Sequence, residues 1–323
     1  MSDRATRRVV IAGLLGLVGA FSAPQDQTIQ RAEQLTRFTL VEYHMGIDAR
    51  LVVYAPSQEV AYRACEAAFK RVAELDQAMS DYRPTSELMQ FCAKPRGTRV
   101  KLSADLFKVL DRSQKISVQT GGRFDCTVGP LVQLWRKARK SKTLPTAQEV
   151  RGAKRLVSYR KLHLDPRSQT AWLDRDGMKL DLGGIAKGYA SDEALKTLRA
   201  NGIKSALIEM GGDLVLGDAP PASAGWEVNV PNAGATMHLQ NCAISSSGDT
   251  EQFVEIAGKR YSHVVDIKTG LGLSDRTQAS IIAKDGFTTD PISTALTLLD
   301  IKGRDRLLRA YPGTQVFVKT ARD

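Results

Sequence analysis

The stretch MKLDLGGIAKGYASD at residues 178–192 combines a carboxylate, two adjacent glycines and a lysine. Its spacing matches neither the GxxxxGK[ST] phosphate loop nor the GxGxxG dinucleotide fingerprint. The apolar run that ends at Leu182 predicts a strand, and the residues from about Gly188 onward predict a helix. Backbone N–H groups at that helix start, next to the charge of Lys187, would suit a phosphate. An ordinary strand-to-helix turn with a solvated lysine is the alternative.

The stretch TTDPISTA at residues 288–295 places a carboxylate among several hydroxyls. Asp followed by Pro is typical of a helix start, so Asp290 is predicted to cap a helix. Thr294 lies four residues later and would share a face of that helix with Asp290. A carboxylate and a hydroxyl suit a hard cation such as Mg²⁺, which takes few protein ligands and leaves room for phosphate oxygens. Capping alone is the alternative role for Asp290.

A histidine at position 263, one of only four in the chain, lies in the segment YSHVVDIKTG at residues 261–270. Its ordinary pKa makes His263 a candidate general base near neutral pH, and a purely structural histidine fits the segment equally well. Three polar loops could border a ligand, although each is also an ordinary turn when read alone. These loops are FDCTVGPL (124–131), GGD (211–213) and SSSGD (245–249).

Hydrophobic periodicity predicts the elements that must position these residues. Two strands with a turn at 46–48 are predicted over 38–54, and further strands at 161–164, 170–174, 178–182, 205–210, 226–230, 243–245, 253–256, 261–266, 279–283 and 314–318. Helices are predicted at 57–78, 103–119 (with Ser103 as the N-cap), 128–139, 147–153, 188–201, 291–299 and 303–310. Many strands with a few inserted helices favour an α+β fold with mixed or antiparallel sheets, in one compact unit over residues 37–320.

The N-terminus has the pattern of an export signal. Arg4, Arg7 and Arg8 precede the apolar run VVIAGLLGLVGAF, and a small-x-small cleavage site follows at 20–22. This pattern predicts a signal peptide over residues 1–22 and a flexible lead-in over 23–36. The stretch TRRVVI resembles a twin-arginine signal, which favours a location in the periplasm or on the outer face of the inner membrane; an ordinary secretory signal is the alternative.

The net charge of +11 over 323 residues suits an anionic partner such as a phosphate ester, a nucleic acid or a membrane surface. The basic residues form no long block and no pattern of stacked aromatic residues, so no nucleic-acid partner is predicted. The four cysteines have no CxxC spacing, and free thiols are favoured over disulfides.

Seven short motifs in order resemble the FAD:protein FMN transferase family, also called ApbE-like proteins. They extend from residue 79 to residue 299 of this chain. The matching stretches are MSDYRPTSEL (79–88), GGRFDCTVGPLVQLW (121–135), LDLGGIAKGYASD (180–192), GGD (211–213) followed by GW (225–226), AISSSGD (243–249), YSHVVDIKTG (261–270) and TTDPISTALTLL (288–299).

The resemblance implies a single α+β domain related to the T-fold, with FAD in a groove and Mg²⁺ at its pyrophosphate. The FMN half of FAD would be transferred to a Thr or Ser hydroxyl of a target protein, and AMP would leave. The target would be a subunit or domain of a membrane redox complex on the exported side.

The resemblance also implies a role for individual positions. His263 matches the active-site histidine of the family. Positions expected to contact FAD are Met45, Tyr82, Phe124, Asp125, Asp181, Lys187 and Val264. Positions expected at the metal are the backbone carbonyl of Gly184 and the side chains of Asp290 and Thr294, with Ser293 close by.

Three departures from the family pattern affect the expected substrate geometry more than the expected activity. Lys268 stands for a more usual arginine and cannot make a bidentate contact. Cys126 stands for a proline, and Ser246 for a more common threonine. Two rival functions stay open at this point: hydrolysis of FAD to FMN and AMP, and flavin binding without turnover in the periplasm.

Overall fold

The computed structural model describes residues 34–248 and 253–320. The predicted signal peptide and most of the lead-in lie outside the described residues, as does Asp249 of the polar loop at 245–249. From Leu35 onward the chain forms one compact unit. The predicted α+β class with antiparallel sheets is confirmed.

The described residues contain sixteen strands. A seven-stranded sheet has the order β1-β2-β6-β7-β10-β15-β16, and every neighbouring pair in it is antiparallel. A small sheet has the order β3-β5-β4, and three hairpins pair β8 with β9, β11 with β12 and β13 with β14. The strands are β1 Thr36–His44, β2 Ile47–Ala55, β3 Val100–Lys101, β4 Leu162–Asp165, β5 Thr170–Leu173, β6 Ala206–Met210, β7 Asp213–Leu216, β8 Trp226–Asn229, β9 Thr236–Leu239, β10 Cys242–Ser247, β11 Phe253–Ile256, β12 Lys259–Ser262, β13 Val265–Asp266, β14 Leu271–Gly272, β15 Thr277–Ala283 and β16 Gln315–Thr320.

Eight α-helices lie within the described residues, and most begin at a side-chain cap. The predicted cap Ser103 accepts a hydrogen bond from the backbone of Leu106, and Ser57 caps the first helix in the same way. The helices are α1 Gln58–Met79, α2 Glu87–Cys92, α3 Ala104–Gln119, α4 Gly129–Ser141, α5 Ala147–Lys154, α6 Ala186–Ala200, α7 Gly286–Leu298 and α8 Ile301–Leu308.

The two faces of the large sheet bury different cores because strand side chains alternate. On β2, Leu51 and Val53 face the main core, which α1, α6 and α7 cover. Val52 between them faces a second core with Trp226 and Val228 of the β8–β9 hairpin. The three helices and the ends of the central strands therefore meet at one side of the sheet, where the polar motifs lie.

The helices α6 and α7 cross at a contact that requires glycine. A Cβ added at Gly188 would lie 2.0 Å from the carbonyl oxygen of Gly286, and a Cβ at Gly286 would lie 2.6 Å from the carbonyl oxygen of Gly188. This close approach brings the GGIAKG loop next to the carboxylate of Asp290.

Two sequence predictions near this crossing are wrong. Residues 178–182 are not a strand: the burial alternates as in a strand, but the segment has no ladder partner and makes an isolated bond from the N–H of Asp181 to the carbonyl of Cys126. Helix α7 begins at Gly286 rather than at Pro291, because Asp285 caps it through the N–H of Thr288. Asp290 is therefore an interior residue of α7 and does not cap it.

Among the described residues, no helix is both long and apolar enough to cross a membrane. The four cysteines are free thiols, and Cys65 and Cys126 are buried. Burial raises the pKa of the Cys65 thiol to about 11, so this group stays protonated near neutral pH.

Candidate active site

A cavity of about 560 Å³ opens where α1, α4, α6, α7 and the large sheet converge. Its volume lies within the usual range for small-molecule sites. Ten of the twelve residues expected at the site line it: Met45, Tyr82, Phe124, Asp125, Asp181, Gly184, Lys187, His263, Val264 and Thr294. Asp290 and Ser293 lie behind the wall and contact residues that line it. The fold thus brings together residues as far apart in sequence as Met45 and Thr294.

A half-buried lysine ammonium lies at the base of the cavity. The Nζ of Lys187 is 3.0 Å from Oδ2 of Asp213 and 3.1 Å from Oδ1 of Asp290, and it donates at 3.3 Å to the carbonyl of Gly183. Burial alone would lower the pKa of Lys187, but the two carboxylates outweigh it and hold this pKa above its usual value. Lys187 is therefore a permanent positive charge in the cavity wall.

The predicted phosphate site at the start of the helix differs in one respect from the structure. Helix α6 begins at Ala186, and the N–H of Gly188 donates to Oδ2 of Asp290 at 3.0 Å. The carboxylate of Asp290 thus accepts a hydrogen bond from this first-turn N–H group, which was predicted to bind a phosphate. The side chain of Lys187 supplies the positive charge instead.

The oxygen atoms near Asp290 fit a hard divalent cation. Asp213 and Asp290 carry two negative charges against the one charge of Lys187, so the cluster keeps a net negative charge. The hydroxyl of Thr294 borders the cavity, and a Cβ at Gly184 would lie 3.2 Å from its Oγ1, so only glycine leaves this space open. Carboxylate, hydroxyl and carbonyl oxygens are the ligands that Mg²⁺ prefers.

Asp290 provides the single carboxylate among the four residues that are expected at the metal. Among residues 34–248 and 253–320, no three His, Cys, Asp or Glu side chains cluster so as to hold a metal ion. The hydroxyl of Ser293 is buried, donates to the carbonyl of Asp290 at 2.9 Å and lies 2.8 Å from Oγ of Ser247. Ser293 thereby connects α7 to the end of β10.

Asp181 lies in a second charged cluster at the cavity wall. Arg136 of α4 pairs with Asp81 and donates to Oδ2 of Asp181 at 3.1 Å, and its guanidinium stacks 4.1 Å from the ring centroid of Tyr82. Burial and the charge of Asp81 raise the pKa of Asp181 to about 6, against the lowering effect of Arg136. Tyr82 itself is 68% exposed, so its ring is available at the mouth of the cavity.

The aromatic and carboxylate pair at 124–125 has two different roles. Phe124 is buried and its ring faces the loop at Gly184. Asp125 accepts hydrogen bonds from the N–H and hydroxyl of Thr127 and from the N–H of Tyr159, at 2.7 to 2.8 Å. These bonds fix the loop that carries Phe124, and contact of Asp125 with a flavin stays a prediction.

The loop that carries His263 is fixed at both sides. The indole of Trp135 in α4 donates to the carbonyl of Ser262 at 3.1 Å, and the hydroxyl of Ser262 accepts from the N–H of Val264 at 3.1 Å. Arg123 donates to Oδ1 of Asp266 at 2.7 Å on the other side. His263 is therefore held at the cavity on a restrained backbone, as a general base requires.

The sequence reading missed three residues that organise this site: Asp81, Arg136 and Asp213. Asp81 and Asp213 stand inside stretches that had already been singled out, and Arg136 directly follows one. Each is a charged residue inside a motif or directly next to one, and this was the available signal. Only the tertiary contacts show which charges they meet.

The chain resembles known proteins along most of its length. The sequence model of the ApbE family matches residues 45–318. A protein of Treponema pallidum named FAD:protein FMN transferase is 28% identical, covering 87% of this chain and 83% of the relative. A Haemophilus influenzae protein of the same name is 27% identical, covering 93% and 89%.

Solved structures show the same fold. The Pseudomonas stutzeri flavinyl transferase ApbE in its apo form has a TM-score of 0.77 at 26% identity, with 90% of this chain and 93% of that chain covered. An ApbE protein of Thermotoga maritima has a TM-score of 0.76 at 26% identity, with 88% and 94% covered.

Proposed function

The chain belongs to the ApbE family, and from this we propose that it transfers the FMN half of FAD to a Thr or Ser hydroxyl of a target protein and releases AMP. Support comes from relatives that are named FAD:protein FMN transferase and match most of the chain. The product would carry FMN through a phosphoester bond.

The observation that carries the proposal is the arrangement of His263 and Lys187 around one cavity. A general base and a fixed positive charge bordering the same space are what attack on a pyrophosphate requires. A protein that only stores flavin needs a matching cavity but has no use for a base. The exposed ring of Tyr82 and the buried ring of Phe124 offer surfaces for the flat parts of the dinucleotide.

The proposed transfer forms one P–O bond and breaks another. The acceptor oxygen attacks the phosphorus on the FMN side of the pyrophosphate and forms a P–O bond, while the bond from that phosphorus to the bridging oxygen breaks. AMP leaves with the bridging oxygen, and His263 takes the proton of the acceptor hydroxyl. Lys187 holds a positive charge against the phosphate oxygens, since phosphoryl transfer depends chiefly on positioning and charge neutralisation. The rigid loop around His263 keeps the base in reach of the acceptor.

Mg²⁺ would be held by Asp290, Thr294 and the backbone carbonyl of Gly184, where it would neutralise charge on the pyrophosphate. The net negative charge of the Asp213, Lys187 and Asp290 cluster favours a cation there over an empty site. Asp213 pairs with Lys187 and helps to hold it in place.

The test incubates the protein with FAD, MgCl₂ and peptides that contain Thr or Ser, followed by mass spectrometry. Addition of one FMN mass is expected. His263→Ala should keep FAD binding and lose transfer by about 10²–10⁴-fold, the usual contribution of a general base. Transfer by this variant at the wild-type rate would refute the role of His263.

A second variant tests the metal site. Asp290→Asn should need far more Mg²⁺ for half-maximal activity, because the one carboxylate ligand is lost. Asp305→Asn makes the same change at an exposed position of α8 that does not line the cavity, and as the matched control it should leave the Mg²⁺ titration unchanged. Release of AMP and free FMN without a mass added to the peptide would instead identify hydrolysis, and unchanged FAD would identify binding alone.

We further propose that the protein is exported by a twin-arginine signal and acts on a subunit or domain of a membrane redox complex. The basis is the N-terminal sequence with Arg7 and Arg8, together with the resemblance. Replacing both arginines by lysine should retain the protein in the cytoplasmic fraction; unchanged export would contradict twin-arginine transport.

A further inference from the structure

Most of the net positive charge of the chain belongs to one segment. Residues 136–161 contain ten Lys and Arg residues and one acidic residue, Glu149, which gives a net charge of +9 against +11 for the whole chain. No run of basic residues in the segment exceeds two, so the sequence shows no obvious block. The fold gathers these residues on α4, on α5 and in the turn that follows them.

Helix α4 has a buried apolar face, and its basic residues lie outside that face. Leu131, Trp135 and Ala138 are buried against the hairpins next to His263. Residues on the other side of the helix are polar, as the 3.6-residue period dictates. We call the resulting region the basic surface. It consists of Lys137, Arg139, Lys140 and Lys142 at the end of α4, and Arg151 and Lys154 of α5.

Among the described residues, no carboxylate lies within ion-pair distance of a member of the basic surface. Within the part of the chain that the structure describes, Arg136 is the member of segment 136–161 that forms ion pairs, with Asp81 and Asp181. Glu149 uses its carboxylate to accept bonds from the N–H and hydroxyl of Thr146 in a capping box. A cluster of like charges of this kind produces a strong local potential that attracts anionic partners.

The basic surface adjoins the position of the proposed base. Trp135 of α4 holds the carbonyl of Ser262, next to His263, and Nζ of Lys154 donates to the carbonyl of Lys268 at 2.6 Å. The hairpin turn of this loop packs so tightly on α5 that a Cβ at Gly270 would lie 2.5 Å from Val150. Arg139 lines the cavity itself. The surface therefore extends from the cavity onto α5, alongside the loop of His263.

We propose that the basic surface docks an acidic segment of the acceptor protein beside the Thr or Ser that receives FMN. This inference rests on the proposed function, because it assigns the acceptor to a particular face of the enzyme. An acceptor hydroxyl must reach His263, and the polypeptide on either side of it must then lie over neighbouring surface. An anionic bilayer over the same face would cover the mouth of the cavity, which favours a protein segment over a membrane.

The experiment uses two fluorescent peptides with one threonine each. In the first, aspartates flank the threonine on both sides, and in the second asparagines replace them. Binding to the full protein is measured by anisotropy at low and at high salt. The aspartate peptide should bind about tenfold more tightly at low salt, and the difference should disappear at high salt.

Matched charge reversals locate the contact. The triple variant Lys137→Glu, Lys140→Glu, Arg151→Glu changes exposed residues of the basic surface that do not line the cavity. The control Lys70→Glu, Lys302→Glu, Arg306→Glu makes the same charge change at exposed residues of α1 and α8. The first triple should lose the preference for the aspartate peptide, and the control should retain most of it. Both should keep the wild-type affinity for FAD.

Several results would overturn the inference. Equal affinity for the two peptides, or an equal loss in both triples, would remove the basis for a docking face. Loss of binding to phosphatidylserine vesicles in the first triple, with peptide binding unchanged, would make the surface a membrane contact.

Mass spectrometry on the same mixtures separates this inference from the proposed function. If the aspartate peptide binds as expected but gains no FMN mass, the docking result holds and the transfer proposal fails. If both triples transfer FMN equally well at limiting aspartate peptide, the docking inference fails and the transfer proposal stands.

Discussion

Arg136 is the residue whose removal gives the most informative perturbation of the site. Its guanidinium lies between Asp81 and Asp181, and the side chain of each carboxylate is only 11% exposed. Replacing Arg136 by Met keeps the aliphatic volume and leaves two buried negative charges without their cation. Breaking a buried pair costs about 3–5 kcal/mol, and the 30% exposure of Arg136 reduces the expected loss of unfolding free energy to about 2–3 kcal/mol.

The loss should depend on pH in a defined direction. The pKa of Asp181 is raised to about 6, and removing Arg136 would raise it further. A carboxyl with a raised folded-state pKa contributes stability that is present below its unfolded pKa and is lost as pH rises through the folded pKa. The difference in unfolding free energy between wild type and Arg136→Met should therefore be small near pH 4 and should widen through pH 6 toward pH 8.

Urea denaturation at several pH values measures this gap. The control Arg50→Met removes a guanidinium that pairs with Glu209, where both side chains are more exposed, and it should cost about 1 kcal/mol or less. The double variant Asp81→Asn/Arg136→Met should recover part of the loss, since one of the two stranded charges is gone. A gap that stays constant between pH 4 and pH 8, or a double variant less stable than Arg136→Met, would refute the reasoning.

Three further perturbations test the scaffold of the site. Gly188→Ala should destabilise the fold by at least about 3 kcal/mol in urea, because its Cβ would lie 2.0 Å from the carbonyl oxygen of Gly286; wild-type stability would contradict the tight helix crossing. The carboxylate of Asp192 accepts from the N–H groups of Gly286 and Phe287, and burial raises its pKa to about 7. The unfolding free energy of wild type relative to Asp192→Asn should therefore fall as pH rises from 4 to 7. Parallel pH profiles of the two proteins would refute this. Trp135→Phe loses the bond to Ser262 and should cost about 1 kcal/mol in urea while slowing transfer more than it weakens FAD binding, and an unchanged rate would show that the loop needs no such anchor.

Much of the fold was predictable from local pattern. The first helix and its cap Ser57, the third helix and its cap Ser103, and the paired strands at the start of the domain follow from short-range periodicity and capping chemistry. The strand predicted at 178–182 was wrong because alternating burial also arises where an extended segment lies against a core without a partner strand. The start of α7 was wrong because Asp-Pro is a good start signal, and a second aspartate five residues earlier makes the cap instead.

The sequence by itself determined the candidate residues for the proposed chemistry, since the motifs with Lys187, His263, Asp290 and Thr294 are visible as residue types at fixed spacings. Only the tertiary structure decided which of those residues form ion pairs and hydrogen bonds with one another. The crossing of α6 and α7 at two glycines brings the carboxylate of Asp290 to the N–H of Gly188 and to Lys187, and no local pattern encodes that contact. The same holds for the basic surface: its charges follow one another only in pairs along the chain, and helix packing gathers them beside the cavity.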